Sequence, residues 1–320
     1  MLRSFFIYLS KASWAQRLVT GWGVAWRAAS RFIAGTTVEE ALKVIRDLNG
    51  RGINVTLDHL GEHTSSAAEA ADATLAITRT LDAIEKAGLC ANVSIKLSQI
   101  GLALDERVCR QNLERILARA KELGNFVRVD MEDTPYTDQT IGLCQQMRKK
   151  GYKNVGIALQ SYLYRSEADA RNLLEDRTPI RLVKGAYQEP ASKAFPRKAD
   201  VDANFDLLTK LMMDAAATAP KSRARARDGC LPPIPAIGTH DQKRIEFAKQ
   251  YAARIKLPKG AYEFQMLYGI RRDLQENLRA EGYGVRVYVP FGTHWYPYFM
   301  RRLAERPANI WFFVSNFFRK

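Results

Sequence analysis

The sequence predicts a single (βα)8 barrel. Eight short apolar runs recur along its 320 residues, and helix-length stretches with amphipathic spacing separate them. In such a barrel the strands enclose a dry core, and their carboxyl ends with the following loops form one concave mouth. Nearly every run ends at a polar or ionisable residue, and we expect these residues to converge around an active site: Asp58, Lys96, Asp130, Gln160, Lys184, His240, Gln265 and Tyr288.

The apolar runs are predicted to be buried strands. They are about four to eight residues long and rich in Val, Ile and Leu, which favours a parallel sheet covered on both faces. The predicted strands are Asn54–Asp58, Val93–Leu97, Phe126–Met131, Val155–Gln160, Ile180–Lys184, Ala236–His240, Glu263–Met266 and Val285–Val289.

The stretches between the runs are predicted to be helices. In Ala68–Ala87, apolar residues such as Leu81 and Ile84 alternate with charged residues at helical spacing, and Gly88 is a plausible stop. We expect residues 1–50 to form an N-terminal helical arm packed outside the barrel, and residues 51–320 to form the catalytic barrel of what is overall a single domain. Residues 1–38 carry basic but no acidic residues, so a basic surface helix or a transit peptide is an alternative reading.

The composition points to an anionic partner. The net charge is +15, from 49 basic and 34 acidic residues, and such an excess favours nucleic acid, an anionic membrane surface or anionic ligands. No nucleic-acid-binding motif occurs, so we expect no nucleic-acid partner. The four cysteines form no CxxC pair and no apolar stretch has the length of a membrane span, which predicts a cytoplasmic protein with reduced thiols. The basic stretch 215–235 has no clear role, and the aromatic tail 310–318 could contact a membrane or dock onto the barrel.

Several reaction classes remain open from the residues alone. The sequence has no GxGxxG after a strand, no GxxxxGK[ST] and no GxSxG, so a Rossmann site, a P-loop and a serine nucleophile are unsupported. A metal-dependent hydrolase is possible because Asp58, His59, Glu62 and His63 crowd the first strand end and His240 follows the sixth strand. A non-catalytic basic protein that binds membranes or nucleic acid is a further alternative.

Two strand-end lysines allow two interpretations. Lys96 or Lys184 could form a Schiff base if burial lowered its pKa. Each could instead bind an anion at the barrel mouth, and this second interpretation is favoured because a lysine is a suitable point charge for a carboxylate or phosphate.

The C-terminal region contains a candidate carboxylate clamp. Tyr298, Arg301, Arg302 and Glu305 would lie on one broad face of a helix. Two adjacent guanidinium groups offer planar donors that match both oxygens of a carboxylate. The same pattern is also compatible with an ordinary solvated helix.

A set of long motifs in order resembles the proline dehydrogenase family, in particular its compact monofunctional bacterial members. The motifs are SIKLSQIG (94–101), RVDMED (128–133), LQSYLYR (159–165), RLVKGAY (181–187), GTHD (238–241), EFQMLYG (263–269) and YPYFMRRLAERPAN (296–309), and the match covers about residues 35–310. The resemblance implies a distorted (βα)8 barrel whose last helix lies over the mouth. It also implies bound FAD and oxidation of L-proline to Δ1-pyrroline-5-carboxylate, and it weakens the metal hypothesis.

The resemblance also implies roles for individual residues. Arg301 and Arg302 match the pair that binds the proline carboxylate, and Lys96 matches a lysine that assists them. Tyr288, Tyr298 and Leu182 match the walls around the pyrrolidine ring, and Glu305 lies on the same helical face. Glu62 matches a gating carboxylate that pairs with Arg301, and Asp130 one that hydrogen-bonds near the substrate tyrosine. Expected FAD contacts are Met131, Gln160, Arg181, Lys184, Gly185, Ala186, Thr239, His240 and Gln265.

The same resemblance implies partners. No aldehyde dehydrogenase or DNA-binding segment is recognisable, so the product is expected to pass to a separate pyrroline-5-carboxylate dehydrogenase. The resemblance also implies a membrane quinone as the electron acceptor. The basic surface and apolar tail would suit transient contact with the inner face of the cell membrane.

Overall fold

The protein is a closed barrel of eight parallel strands. A computed structural model describes residues 8–9, 12–20, 23–61, 64–218 and 230–305. Each strand pairs with the next in chain order, and the eighth closes the barrel against the first, where Val55 is in register with Val287. The predicted (βα)8 fold is confirmed.

The strands are short and the helices lie between them. The strands are β1 Asn54–His59, β2 Ala91–Ile95, β3 Val127–Val129, β4 Val155–Gln160, β5 Ile180–Val183, β6 Pro235–Gly238, β7 Glu263–Leu267 and β8 Gly284–Phe291. The α-helices in the described part of the chain are α1 Ser13–Thr20, α2 Gly23–Ala29, α3 Val38–Gly50, α4 Ala67–Lys86, α5 Glu106–Glu122, α6 Thr137–Lys149, α7 Ser166–Glu175, α8 Lys198–Ala217, α9 Gln242–Arg254, α10 Arg272–Ala280 and α11 Trp295–Glu305.

Several predicted strand ends differ from the observed ones. β2, β3, β5 and β6 each end one or two residues earlier than predicted, so Lys96, Asp130, Lys184 and His240 lie in the loops. In contrast, β1 and β8 continue past Asp58 and Tyr288. The reason is that a strand ends where backbone pairing with its neighbours ends, and the apolar pattern of one segment does not report that pairing.

The main apolar core lies between the barrel and its helices. Alternate residues of β1, such as Val55 and Leu57, pack with Ile77 and Leu81 of α4 in this layer. Helix α3 contributes Ala41, Ile45 and Leu48 to the same layer, and it starts with a capping box formed by Thr37 and Glu40. The division into an arm of residues 1–50 and a barrel of residues 51–320 stays a prediction.

The barrel interior is polar: the core that the strands enclose is buried, as expected, but charged and hydrogen-bonded side chains fill it. Arg181 of β5 bonds to Asp130, which follows β3, and to Gln265 of β7, although these strands are not neighbours. Such contacts are possible only across the inside of the barrel. Because side chains alternate between the two faces of a strand, the same strands present apolar residues to the helices and polar residues to the interior.

A second apolar cluster brings α11 to the carboxyl ends of the strands. Tyr298, Phe299 and Leu303 of α11 pack with Leu60, which follows β1, and against Tyr288 of β8. Residues of α1 and α2 join the same cluster. The last helix therefore lies over the barrel mouth, as expected. None of the described helices combines the length and apolarity that a bilayer crossing requires.

Candidate active site

Two carboxylates and one phenol form the centre of the barrel mouth. The Tyr288 hydroxyl lies 2.6 Å from Oδ2 of Asp58 and 2.9 Å from Oδ2 of Asp130. Asp58 is fully buried. Burial, followed by the charges of Asp130 and Asp58, raises the pKa of Tyr288 well above its usual value. Tyr288 is therefore a neutral hydrogen-bond donor over the whole physiological pH range.

Lys96 completes this cluster from the end of β2. Its Nζ donates to Oδ2 of Asp58 at 3.1 Å and lies 4.0 Å from Oδ2 of Asp130. Lys96 is 6% exposed, so its charge is buried next to opposite charge. The three elements β1, β2 and β8 thus bring together Lys96, Asp58 and Tyr288, which are far apart in the sequence.

Arg181 connects the cluster to the opposite side of the barrel. Its Nη1 donates to Oδ1 of Asp130 at 2.6 Å and to the Ser94 hydroxyl at 3.1 Å, and its Nε donates to Oε1 of Gln265 at 2.5 Å. Its guanidinium also lies 5.2 Å from the centre of the Tyr288 ring. A cation is therefore held rigidly at the centre of the mouth.

Lys184 is held between two carboxylates. Its Nζ lies 2.6 Å from Oδ1 of Asp202 on α8 and 2.6 Å from Oδ2 of Asp241. Although burial acts in the opposite direction, hydrogen bonds from Lys184 and Lys198 lower the pKa of Asp202. Asp241 also caps α9 by accepting from the backbone N–H of Lys243. The charge of Lys184 is thus balanced locally by these two carboxylates.

The remaining expected cofactor residues lie at or just after the carboxyl ends of strands β3 to β6. Gln160, Thr239 and Met131 are buried, and Nε2 of His240 accepts the backbone N–H of Leu267 at 3.0 Å. Gly185 has φ +118°, and a Cβ there would lie 2.3 Å from the Tyr162 ring, so only glycine permits this turn after β5. The next residue, Ala186, continues the same loop. Leu182 of β5 is fully buried.

Helix α11 carries the candidate carboxylate clamp. Tyr298 is 5% exposed and Arg302 is 8% exposed, with the Arg302 guanidinium 5.0 Å from the centre of the Tyr298 ring. Arg301 is half-buried. Glu305 is the last residue of the helix, and its side chain lies outside the described part of the structure, as does the whole of Glu62.

Sequence reasoning missed three residues that the structure places in or beneath this cluster. Asp58 was expected at the barrel mouth and in a possible metal site, but its contacts with Lys96 and Tyr288 were not predicted. Ser94, Glu263 and Arg286 were not singled out at all. The available signal was their position: each is a polar residue at an alternate position of a strand that is otherwise apolar.

The metal-site alternative requires several ligating side chains close together. Over the described ranges, no three His, Cys, Asp or Glu side chains are arranged so that they could hold a metal ion. His63, one of the candidates, lies outside those ranges.

Comparison with known proteins identifies the family. A family model described as Proline dehydrogenase matches residues 41–314. The chain belongs to the proline dehydrogenase family. Proline dehydrogenase 1 of Bacillus subtilis is 38% identical over 320 residues, which is 100% of both chains. Proline dehydrogenase of Deinococcus radiodurans is 42% identical over 298 residues, which covers 91% of this chain and 90% of the relative. The protein is accordingly a proline dehydrogenase enzyme.

Solved structures show the same fold. Proline utilization A of Bdellovibrio bacteriovorus, inactivated by N-propargylglycine, matches with a TM-score of 0.79 and 27% identity. The match covers 88% of this chain and 33% of the larger protein, so this chain spans about a third of that relative. Proline utilization A of Bradyrhizobium japonicum has a TM-score of 0.71 at 22% identity and supports the fold alone.

Proposed function

We propose that this proline dehydrogenase uses FAD to oxidise L-proline to Δ1-pyrroline-5-carboxylate. The observation that carries the proposal is the buried cluster of Lys96, Asp58, Asp130, Tyr288 and Arg181 beneath α11. The cluster combines Lys96, a cation suited to an anionic substrate, with the fixed phenol of Tyr288. Arg181 adds a second cation deeper in the barrel. When bound, FAD supplies the hydride acceptor, its N5 atom, which no side chain can provide.

The polar atoms of the mouth fit a flavin. Nη2 of Arg181 and Oε1 of Gln160 are buried and have no hydrogen-bond partner within the described part of the chain. Such groups are costly unless a ligand or water pairs them. A flavin ring edge carries both acceptors and an N–H donor, so it could satisfy the free donor and the free acceptor together. We therefore assign Arg181 and Gln160 to the ring, and the family resemblance adds Met131, Lys184, Gly185, Ala186, Thr239, His240 and Gln265.

Substrate binding is proposed to occur between this cluster and α11. Arg301 and Arg302 would bind the proline carboxylate, with Lys96 assisting from below. Tyr288, Tyr298 and Leu182 would form the walls around the pyrrolidine ring. Clamping the carboxylate orients the carbon next to nitrogen, so much of the rate enhancement would come from positioning. Glu62 is proposed to gate the site by pairing with Arg301.

The charges around Arg181 support electron acceptance. Arg181 is held by Asp130 and Gln265, so its position does not need to change as negative charge develops on the cofactor. Lys184 contributes less than an isolated cation because Asp202 and Asp241 balance its charge. Tyr288 remains a neutral donor, because its pKa is raised by burial and by the two neighbouring carboxylates.

The electron acceptor and the location are proposed from the family and the charge. A membrane quinone would take the electrons, and a separate pyrroline-5-carboxylate dehydrogenase would take the product. The net charge of +15 would favour transient contact of a cytoplasmic enzyme with the anionic inner face of the cell membrane. No nucleic-acid partner is proposed.

The decisive experiment is an anaerobic visible absorption spectrum of the purified protein before and after addition of L-proline, with L-lactate as the control. Flavin bands that bleach with L-proline and persist with L-lactate would support cofactor, substrate and reaction together. A colourless protein that remains inactive after addition of FAD would overturn the proposal. Metal analysis and chelator treatment would then test the hydrolase alternative at His59, His63 and His240.

A further inference from the structure

A chain of hydrogen bonds leads from the barrel interior to Arg181. Arg286 of β8 donates from Nε to Oε1 of Glu263 at 2.8 Å and from Nη2 to Oε2 at 3.2 Å. Nε2 of Gln265 donates to the same Oε1 of Glu263 at 2.5 Å, and Oε1 of Gln265 accepts from Nε of Arg181 at 2.5 Å. The chain thus runs from Arg286 through Glu263 and Gln265 to Arg181.

The direction of every bond in this chain is determined by chemistry. The Nε of Arg181 can only donate, so it must face the oxygen of the Gln265 amide. A carboxylate can only accept, so Glu263 must face the nitrogen of that amide. Both ends require the same amide orientation. If Gln265 flipped, its NH2 group would face the Arg181 donor and its oxygen would face the Glu263 carboxylate.

The groups of this hydrogen-bond chain are buried, so each depends on its partner within the protein. Glu263 is 0% exposed, Arg286 is 1% exposed and Gln265 is 5% exposed, so water does not replace a lost partner easily. Arg128 lies close to the same groups. Burial, and next the charge of Arg181, lower the pKa of Arg128, while the charge of Glu263 acts in the opposite direction. The carboxylate of Glu263 therefore also balances charge among these guanidinium groups.

We propose that Glu263 is a positioning residue for proline oxidation. It orients the Gln265 amide, which anchors the Nε edge of Arg181. It thereby directs Nη2 of Arg181, which has no hydrogen-bond partner among the described residues, at the FAD ring. The inference rests on the proposed assignment of FAD to this mouth. It extends that function to Glu263, which does not itself contact the cofactor or the substrate.

Two matched double variants test the role of Glu263. Glu263→Gln/Arg286→Met keeps an acceptor for Gln265, whereas Glu263→Met/Arg286→Met removes it. Both lose the same charges in equal number, and both replace a buried ion pair by neutral side chains of similar volume, which proteins often tolerate. Glu263→Leu/Arg286→Leu repeats the acceptor-free case with a different apolar pair should the Met pair not fold.

The measurements are the FAD dissociation constant of the apoenzyme, the flavin reduction potential and the melting temperature. We expect the acceptor-free pair to bind FAD about tenfold more weakly than the Gln/Met pair and to show a shifted potential, because Arg181 loses its anchor. A purely structural role would change the melting temperature without separating the two variants in affinity or potential. Equal FAD affinity and potential in the two variants would overturn the inference.

The outcome separates this inference from the proposed function. If wild-type protein binds no FAD and does not oxidise L-proline, the proposed function itself is disproved. If wild-type protein binds FAD but the acceptor-free pair matches the Gln/Met pair in FAD affinity and potential, only the positioning role of Glu263 is disproved.

Discussion

At the scale of single residues, Asp58 organises the centre of the site. One of its oxygens, Oδ2, accepts both Nζ of Lys96 and the hydroxyl of Tyr288. Its other oxygen is buried without a hydrogen-bond partner among the described residues. A buried carboxylate of this kind is stable only because a cation and a strong donor share it. Asp58 therefore couples the positions of Lys96 and Tyr288.

We predict that Asp58→Asn lowers kcat/KM for L-proline by about 10- to 100-fold, because Lys96 loses its charged partner and Tyr288 its charged acceptor. Steady-state kinetics and a melting curve of the same preparation check this. Asp138→Asn is the matched control, since Asp138 is exposed and its ion pair is with Arg165 and not with a residue of the cluster. Unchanged kinetics in Asp58→Asn would contradict the assignment.

The clamp on α11 makes a second prediction at the residue scale. Arg302→Ala should mainly raise the KM for L-proline and cost roughly 2 to 4 kcal/mol of transition-state binding, because Arg302 is buried and would pair with the substrate carboxylate. Arg301→Ala should act in the same direction. Arg107→Ala, at an exposed position on α5, is the control. The clamp assignment fails if both α11 variants keep the wild-type KM and kcat.

At the scale of elements, the carboxyl end of β1 is coupled to the segment that leads into α11. His59 ends β1, and its ring lies 5.1 Å from the ring of Phe291 at the end of β8. Nδ1 of His59 is buried without a hydrogen-bond partner in the described chain. Burial lowers the pKa of His59, with Asp58 opposing and His294 reinforcing this effect. The neutral imidazole is therefore the form that fits the fold.

The buried, neutral imidazole of His59 predicts a pH dependence of stability. As the pH falls through about 6.5, the unfolded chain takes up a proton at His59 while the folded chain does not. The free energy of unfolding should therefore decrease toward acidic pH, and His59→Gln should make that decrease shallower. Melting temperatures from about pH 8 to about pH 5 measure both slopes. His294→Gln serves as the comparison, and identical slopes in wild type and His59→Gln would disprove the coupling.

At the scale of the whole molecule, the barrel is built from two different layers. Apolar side chains fill the space between strands and helices, while hydrogen-bonded charges fill the interior. Buried charged groups contribute little net stability, but an incomplete set costs several kcal/mol. Nη2 of Arg181 and Oε1 of Gln160 at the mouth lack a partner among the described residues, so the mouth is the part of the molecule that a bound flavin should stabilise most.

We predict that removal of FAD lowers the melting temperature. With FAD at about 100 times its dissociation constant, binding adds about 2.7 kcal/mol to the free energy of unfolding. For a chain of this size this corresponds to about 4 °C. Thermal scans of the apoenzyme at increasing FAD concentration measure the shift of the melting temperature, with FAD-free buffer as the baseline. ADP serves as a control ligand that lacks the flavin ring. A melting temperature independent of FAD would contradict binding at this site.

The sequence predicted the barrel well because its signals are local. Strand-length apolar runs and amphipathic helices each reflect a few adjacent residues, and their alternation implies the fold. The polar residues at the strand ends were predicted to converge, and Lys96, Asp130 and Tyr288 do so. The polar residues of the interior were not predicted, because counting apolar residues in a run ignores which of them point inward.

The sequence by itself determined the fold, the family motifs and the set of polar residues around the mouth. Only the tertiary structure decided which distant side chains meet: Asp58 with Tyr288, Lys184 with Asp202 and Asp241, and Arg181 with Gln265. The physical reason is that local periodicity follows from neighbouring residues in the chain. Hydrogen bonds across the barrel depend instead on strand register and closure, which involve residues more than two hundred positions apart.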